Sequence, residues 1–169
     1  MRILLILLCL FTTAFSGDSR PPNALPAEVS AAFSNGTKFI LFSLEPPPIP
    51  DFDAPPPKPI EGHHGFKILG STELADAPSR ASAFAAIGDA VRGFNGLVAG
   101  CFEPRHSLRV ITRDGKVFDL VTCFACHAVR IYRDDKLIAI VGITGSQKRL
   151  DDILTAAKVP LAPKPQTTK

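Results

Sequence analysis

The chain has 169 residues, a formal net charge of +3, twelve Phe, one Tyr and no Trp. That length allows one domain once an N-terminal signal is set aside. The weak positive charge, with no stripe of Lys or Arg, argues against nucleic acid as a partner, and a lone Tyr132 without any Trp argues against an aromatic carbohydrate platform.

Residues 1–17 read as a signal peptide. Arg2 is the positive start, Ile3 to Phe11 the apolar core, and Thr13-Ala14-Phe15-Ser16 supplies small residues at cleavage spacing. The apolar run falls short of the roughly 20 residues a transmembrane helix needs. The mature chain is therefore expected without a transmembrane helix, in the periplasm or secreted. Cys9 follows Leu7-Leu8 rather than a small residue, which speaks against lipid anchoring. Residues 18–36 are polar and Pro-containing and read as a mobile leader.

A single α+β domain is expected over residues 37–160. Thr37 to Leu44 (TKFILFSL) has the β-branched and aromatic density of a strand. Residues 45–62, with EPPPIPDFDAPPPKP, form a Pro-rich connector, since each Pro lacks the donor a central strand requires. His63 to Leu74 resumes a strand-like pattern around Gly65 and Gly70. His63-His64 beside Glu61 can be read as a divalent-metal ligand pair, although a His pair on a loop surface is more often without a ligand.

Asp76-Ala77-Pro78 opens a helix, with Asp as cap and Pro in the first turn, where its missing donor costs nothing. Phe84, Ile87, Val91 and Phe94 recur at helical spacing and mark its buried stripe, and Gly93 with Asn95-Gly96 ends it. Two hairpins follow. Ser107–Thr112 and Lys116–Thr122 flank Asp114-Gly115, and Val129–Tyr132 and Leu137–Val141 flank Asp134-Asp135. Ser146 can cap a last helix whose Leu150, Ile153, Leu154 and Ala157 face the core; Pro160 stops it, and residues 161–169 read as a loose tail. The whole is an antiparallel sheet of consecutive hairpins with two packed helices.

The chemistry-bearing residues gather at one end of the first hairpin. A two-residue Asp114-Gly115 turn pairs Arg113 with Lys116, sets Leu108 against Val121 and puts His106 opposite Cys123, with Cys101 and Cys126 just beyond. Cys101, His106, Cys123 and Cys126 then form a disulfide or metal cluster. A disulfide from Cys101 to the hairpin closes a loop of about twenty residues, worth roughly 3 kcal/mol in the chain-entropy model, whereas a Cys123–Cys126 bridge suits redox chemistry better. Three thiolates with His106 or His127 suit zinc. Cys123-Phe124-Ala125-Cys126-His127 has the spelling of a haem c attachment site, which needs two thiols for the vinyl groups and an imidazole for the iron. Against haem, the motif lies between strand-like runs where such motifs open onto a helix. A thiol–disulfide oxidoreductase is the enzymatic reading of the same pair, although no helix begins beneath the first Cys to lower its pKa. Arg105, beside His106, suits an anion or can pair with Asp119. No G-x-S-x-G, H-E-x-x-H, Walker loop or G-x-G-x-x-G is present, so a non-catalytic structural or binding module leads.

His64-Gly65-Phe66-Lys67-Ile68-Leu69-Gly70, Cys101-Phe102-Glu103-Pro104-Arg105-His106, and Asp119-Leu120-Val121 running into Cys123-Phe124-Ala125-Cys126 resemble a group of exported bacterial proteins and lipoproteins of unknown function. The resemblance spans about Thr37 to Pro163. It implies no activity, and it singles out Cys101, Arg105, His106, Cys123 and Cys126 as the matching motif residues. In that group the position after the second Cys is not reliably His, which sets His127 apart.

Overall fold

The computed structural model describes residues 23–47 and 61–163. The signal-peptide reading, most of the Pro-rich connector and the last six residues of the tail lie outside them. The elements in order are α1 (Ala27–Asn35), β1 (Gly36–Glu45), β2 (Lys67–Glu73), α2 (Ala77–Arg92), β3 (His106–Thr112), β4 (Val117–Cys123), β5 (Ala128–Arg133), β6 (Lys136–Gly142) and α3 (Lys148–Ala156). All pairings are antiparallel, in the spatial order β2-β1-β3-β4-β5-β6. The fold is α+β as expected, with a third helix. No described helix is long and apolar enough to cross a membrane.

That third helix, α1, corrects the leader reading. Residues 27–35 carry no side-chain cap, yet Val29 and Ala32 are buried against the sheet. Helix α2 follows its sequence signals: Asp76 accepts from the Ser79 amide at 2.7 Å, and Ala83, Ile87 and Val91 are buried. In α3, Leu150 and Leu154 face the core, while Ala157 is exposed and only caps the C-terminus.

The helices cover one face of the sheet. Phe39, Leu41, Leu108, Val110, Phe118, Leu120, Val129 and Ile131 point into a core shared with all three helices. Alternation along each strand sends the other set to the opposite face, where Phe42, Leu44 and Val121 form a smaller cluster with Phe66, Phe102 and Tyr132. The segments before β2 and β3 fold over this second face.

The first hairpin differs from expectation by one residue. Thr112 closes a three-residue loop by donating its amide to the Lys116 carbonyl at 2.9 Å, and the Gly115 amide donates to the Thr112 carbonyl at 3.0 Å. Gly115 sits at φ +82°, the left-handed position that ends a type I turn in three-residue hairpins. The longer loop shifts every pair, so Leu108 faces Leu120, Arg109 faces Asp119 and His106 faces Thr122. His106 is therefore not opposite Cys123. Because neighbours along a strand point to opposite faces, the two side chains lie on different sides of the sheet. The second hairpin keeps its two-residue turn, with Asp134 and Asp135 both at positive φ and Arg133 opposite Lys136.

Candidate functional site

Two clusters occupy the second face. Asp119, Val121 and Cys123 alternate along the same side of β4, so Asp119 and Cys123 lie about 13 Å apart at the strand's rise per residue.

The first cluster is sulfur. Cys123 ends β4, Ala128 opens β5 opposite it, and the intervening four-residue loop turns the chain with His127 at φ +56°. That turn places Cys126 back against Cys123 at disulfide-bonding distance, with Cα atoms 5.3 Å apart, inside the window a disulfide requires. The expected bridge from Cys101 is corrected accordingly. Cys101 is a free, exposed thiol whose Sγ lies 3.5 Å from that of Cys126. Cys126 is fully buried and its sulfur accepts the Glu103 amide at 3.3 Å; Cys123 is 1 % exposed and its sulfur accepts the Cys126 amide at 3.1 Å. The exposed Cys101 sulfur thus touches the buried Cys126 sulfur, which in turn meets the buried Cys123 sulfur.

This arrangement does not fit haem. Thioether attachment needs both thiols open to the vinyl groups, but these sulfurs are shut in and directed at each other on a hairpin loop. His127 is exposed, and its Nδ1 donates to the Ile143 carbonyl at 3.2 Å across the end of β6. A zinc site built from the cysteines and His106 is not assembled either, because His106 belongs to the helical face. There its Nε2 donates to Asp151 of α3 at 2.9 Å. Burial alone would raise the Asp151 carboxyl, but the bonds from His106 and Gln147 hold it below the ordinary range. The His106 Nδ1 is buried with no hydrogen-bond partner, as is the hydroxyl of Ser43 directly opposite on β1. Arg105 is buried, with its guanidinium on the Pro163 carbonyl, and Asp119 is held by Arg109 instead.

The second cluster centres on Asp119, which is 1 % exposed in the middle of the sheet. Its cross-strand neighbour Arg109 grips it with Nε on Oδ1 at 2.7 Å and a terminal nitrogen on Oδ2 at 2.8 Å. Two imidazoles arrive from a tight turn. His63 and Phe66 exchange backbone bonds of 2.9 and 3.1 Å, with His64 at φ +53° and Gly65 at +83°, a type I′ geometry that glycine favours at the second position. This turn brings both rings to one carboxylate. A carboxylate only accepts, so the His64 Nε2 donates to Oδ2, at 2.7 Å. A terminal Arg109 nitrogen donates to the His63 Nδ1 at 3.4 Å, leaving the proton on Nε2, which donates to the Ser107 hydroxyl at 2.7 Å.

Packing fixes these rings. His63 stacks on Phe42 with centroids 4.6 Å apart, and His64 on Tyr132 at 3.8 Å. The electrostatics follow the burial. Desolvation lowers the His63 pKa to about 4, and the attraction of Asp119 does not offset it; His64 and Arg109 push in the same direction as burial. For Asp119 burial alone would raise the carboxyl, but the Arg109 and His64 bonds outweigh it and hold the group ionised below its usual range. Ser107, His63 and Asp119 do not form a hydrolytic triad. Ser107 and Asp119 both face the same ring nitrogen, at 2.7 and 3.7 Å, and Ser107 is fully buried.

Sequence reasoning placed Cys101, Cys123 and Cys126 together, as the structure does, and missed the partnership of Arg109, Asp119 and the His pair. No protein family, curated protein or solved structure matches this chain.

Proposed function

We propose that this chain is an exported thiol–disulfide exchange protein that works through Cys101, Cys126 and Cys123. The observation that carries the reading is the free Cys101 sulfur, exposed and 3.5 Å from a half-cystine that solvent does not reach. A buried disulfide is inert to outside thiols. An exposed thiol in contact with it supplies a route in.

The exchange balances without further components. The Cys101 thiolate attacks the Cys126 sulfur, forming Cys101–Cys126 and releasing Cys123, which takes up the proton. A thiolate of a partner attacks Cys101 and releases Cys126. A second partner thiol then displaces Cys101, so the partner leaves as a disulfide and Cys123 and Cys126 keep the two electrons. Run backwards, the same steps reduce a partner. The first seventeen residues, with their signal-peptide pattern, suit an oxidising compartment where such chemistry operates.

A second reading is that the Cys123–Cys126 bridge only braces the β4–β5 hairpin, as a non-catalytic module. The burial of both sulfurs favours it. One experiment separates the two. The folded protein is mixed with reduced glutathione, and the rate of Cys123–Cys126 reduction is followed by intact mass after alkylation. Exchange through Cys101 predicts a trapped glutathione adduct on Cys101 and a rate more than about tenfold lower in Cys101→Ser, where reduction has to await local opening. Equal rates in the two proteins would leave the bracing role.

A further inference from the structure

We propose that His63, His64 and Asp119 form a binding site for a first-row transition-metal dication, with zinc the best matched. The site stands apart from the sulfur chemistry and uses none of its residues. Its three ligand atoms, one from each residue, lie within 4.8 Å of one another. Coordination at about 2.0–2.2 Å to two imidazole nitrogens and one carboxylate oxygen places such atoms about 3 to 3.5 Å apart. The His64 Nε2 and Asp119 Oδ2 are already at 2.7 Å, and the His63 Nε2 is 3.7 Å from Oδ1. Bringing the widest separation in the set, at most 4.8 Å, to that spacing takes a closure of about 1.5 Å, shared between the side chains. Two imidazoles with a single carboxylate select zinc and its neighbours over calcium or magnesium, which prefer oxygen throughout.

The surroundings are those a metal site needs outside its ligands. Arg109 occupies one lone pair on each oxygen of Asp119, fixing the carboxylate while leaving each oxygen a second lone pair turned toward the imidazoles. Phe42 and Tyr132 hold the ring planes by stacking. In the metal-free cluster a proton on the His64 Nε2 bridges it to Oδ2; the dication takes that proton's place between the same two atoms, and the proton moves to Nδ1. His63 requires two other adjustments, the first being that its Nε2 no longer donates to the Ser107 hydroxyl, which turns to donate or accept elsewhere. In the second, the His63 Nδ1 carries the proton once Nε2 is a ligand, so Arg109 gives up the 3.4 Å contact there and keeps its two bonds to Asp119. The ligands are neighbours in sequence only in part. The turn at His64-Gly65 supplies two, and the centre of β4 supplies the third. Glu61, beside the pair in sequence, is exposed and takes no part.

The test uses the full chain stripped with a chelator and then given one equivalent of Zn2+, read by the imidazole nitrogen resonances. The expected result is that the Nε2 signals of His63 and His64 move together while those of His106 and His127 stay in place. Co2+ as a second probe should give visible ligand-field bands without the charge-transfer band that thiolate ligands produce. His64→Gln should weaken Zn2+ binding by about 100-fold or more, with the backbone amide spectrum as a check on folding. A response confined to the exposed His127, a thiolate band with Co2+, or no saturable binding to the wild-type chain would each overturn the proposal. The wild-type measurements decide the matter even if the variant fails to fold.

Discussion

Acidification should destabilise this protein in a specific window because of one imidazole. His63 is 5 % exposed, and its pKa is lowered by burial from 6.5 to about 4. Above pH 6.5 the ring is neutral in both folded and unfolded chains and contributes nothing to the pH dependence. As the pH falls from 6.5 towards 4, the unfolded chain takes up a proton that the folded chain refuses, so stability declines; below about 4 both are protonated and this contribution levels off. At about 1.4 kcal/mol per pH unit, the gap between 6.5 and about 4 corresponds to about 3 kcal/mol lost. The charged and titratable groups acting on the ring, Asp119, His64, Arg109 and Asp135, are all retained in His63→Gln, so subtracting the variant removes the pH dependence common to both proteins. Urea denaturation followed by circular dichroism, with chelator present, should show the wild-type stability falling by about 3 kcal/mol more than the variant's across that window. Parallel pH profiles, or a wild-type stability that rises on acidification, would refute the assignment of His63 as a buried neutral ring.

Two further substitutions test the packing. Leu120→Ala, at a fully buried position in the middle of β4, should cost about 2–5 kcal/mol in denaturant unfolding, because the helices over it can close the cavity only in part. Asp76→Ala removes the side-chain acceptor at the N-terminus of α2 and should cost about 1 kcal/mol; a loss below a few tenths would mean that water replaces the cap.

Much of the fold was legible because its local signals were strong. Asp76 and Pro78 announced α2, and Asp134-Asp135 announced the β5–β6 turn. Asp114-Gly115 misled because the same dipeptide serves a two-residue turn and, with Gly in the last place, a three-residue loop. A signal for the right choice was present in the strands. Only the observed register sets Arg109 against Asp119, whereas the two-residue turn would leave both charges facing apolar partners. Burying an unpaired charge costs far more than adjusting a loop, and that register is also what reveals the Asp119 cluster. The His pair was visible as a candidate ligand pair, but the turn that carries it to Asp119 was hidden because His64-Gly65 lacks the Asn or Asp usual in such turns. Helix α1 was hidden because it has no capping side chain and buries only Val29 and Ala32 outright. The cysteine pairing ran against the entropic argument for a long loop. A four-residue hairpin loop already delivers Cys126 to Cys123, and geometry decided before chain entropy applied.

The sheet order has a consequence for how the chain assembles as it is made. Strand β1 is synthesised before every other described strand, yet it lies between β2 and β3, and β3 arrives only after the Pro-rich stretch, β2 and all of α2 have followed. The run from β3 to β6 is a plain meander whose partners are adjacent in the chain, and it can zip without waiting. A nascent chain therefore carries Phe39, Leu41, Phe42 and Leu44 with one ladder of β1 still unfilled, until the meander presents the edge of β3 to it. The strand made first is completed late, and for that interval its apolar side chains are the part of the polypeptide most in need of shelter.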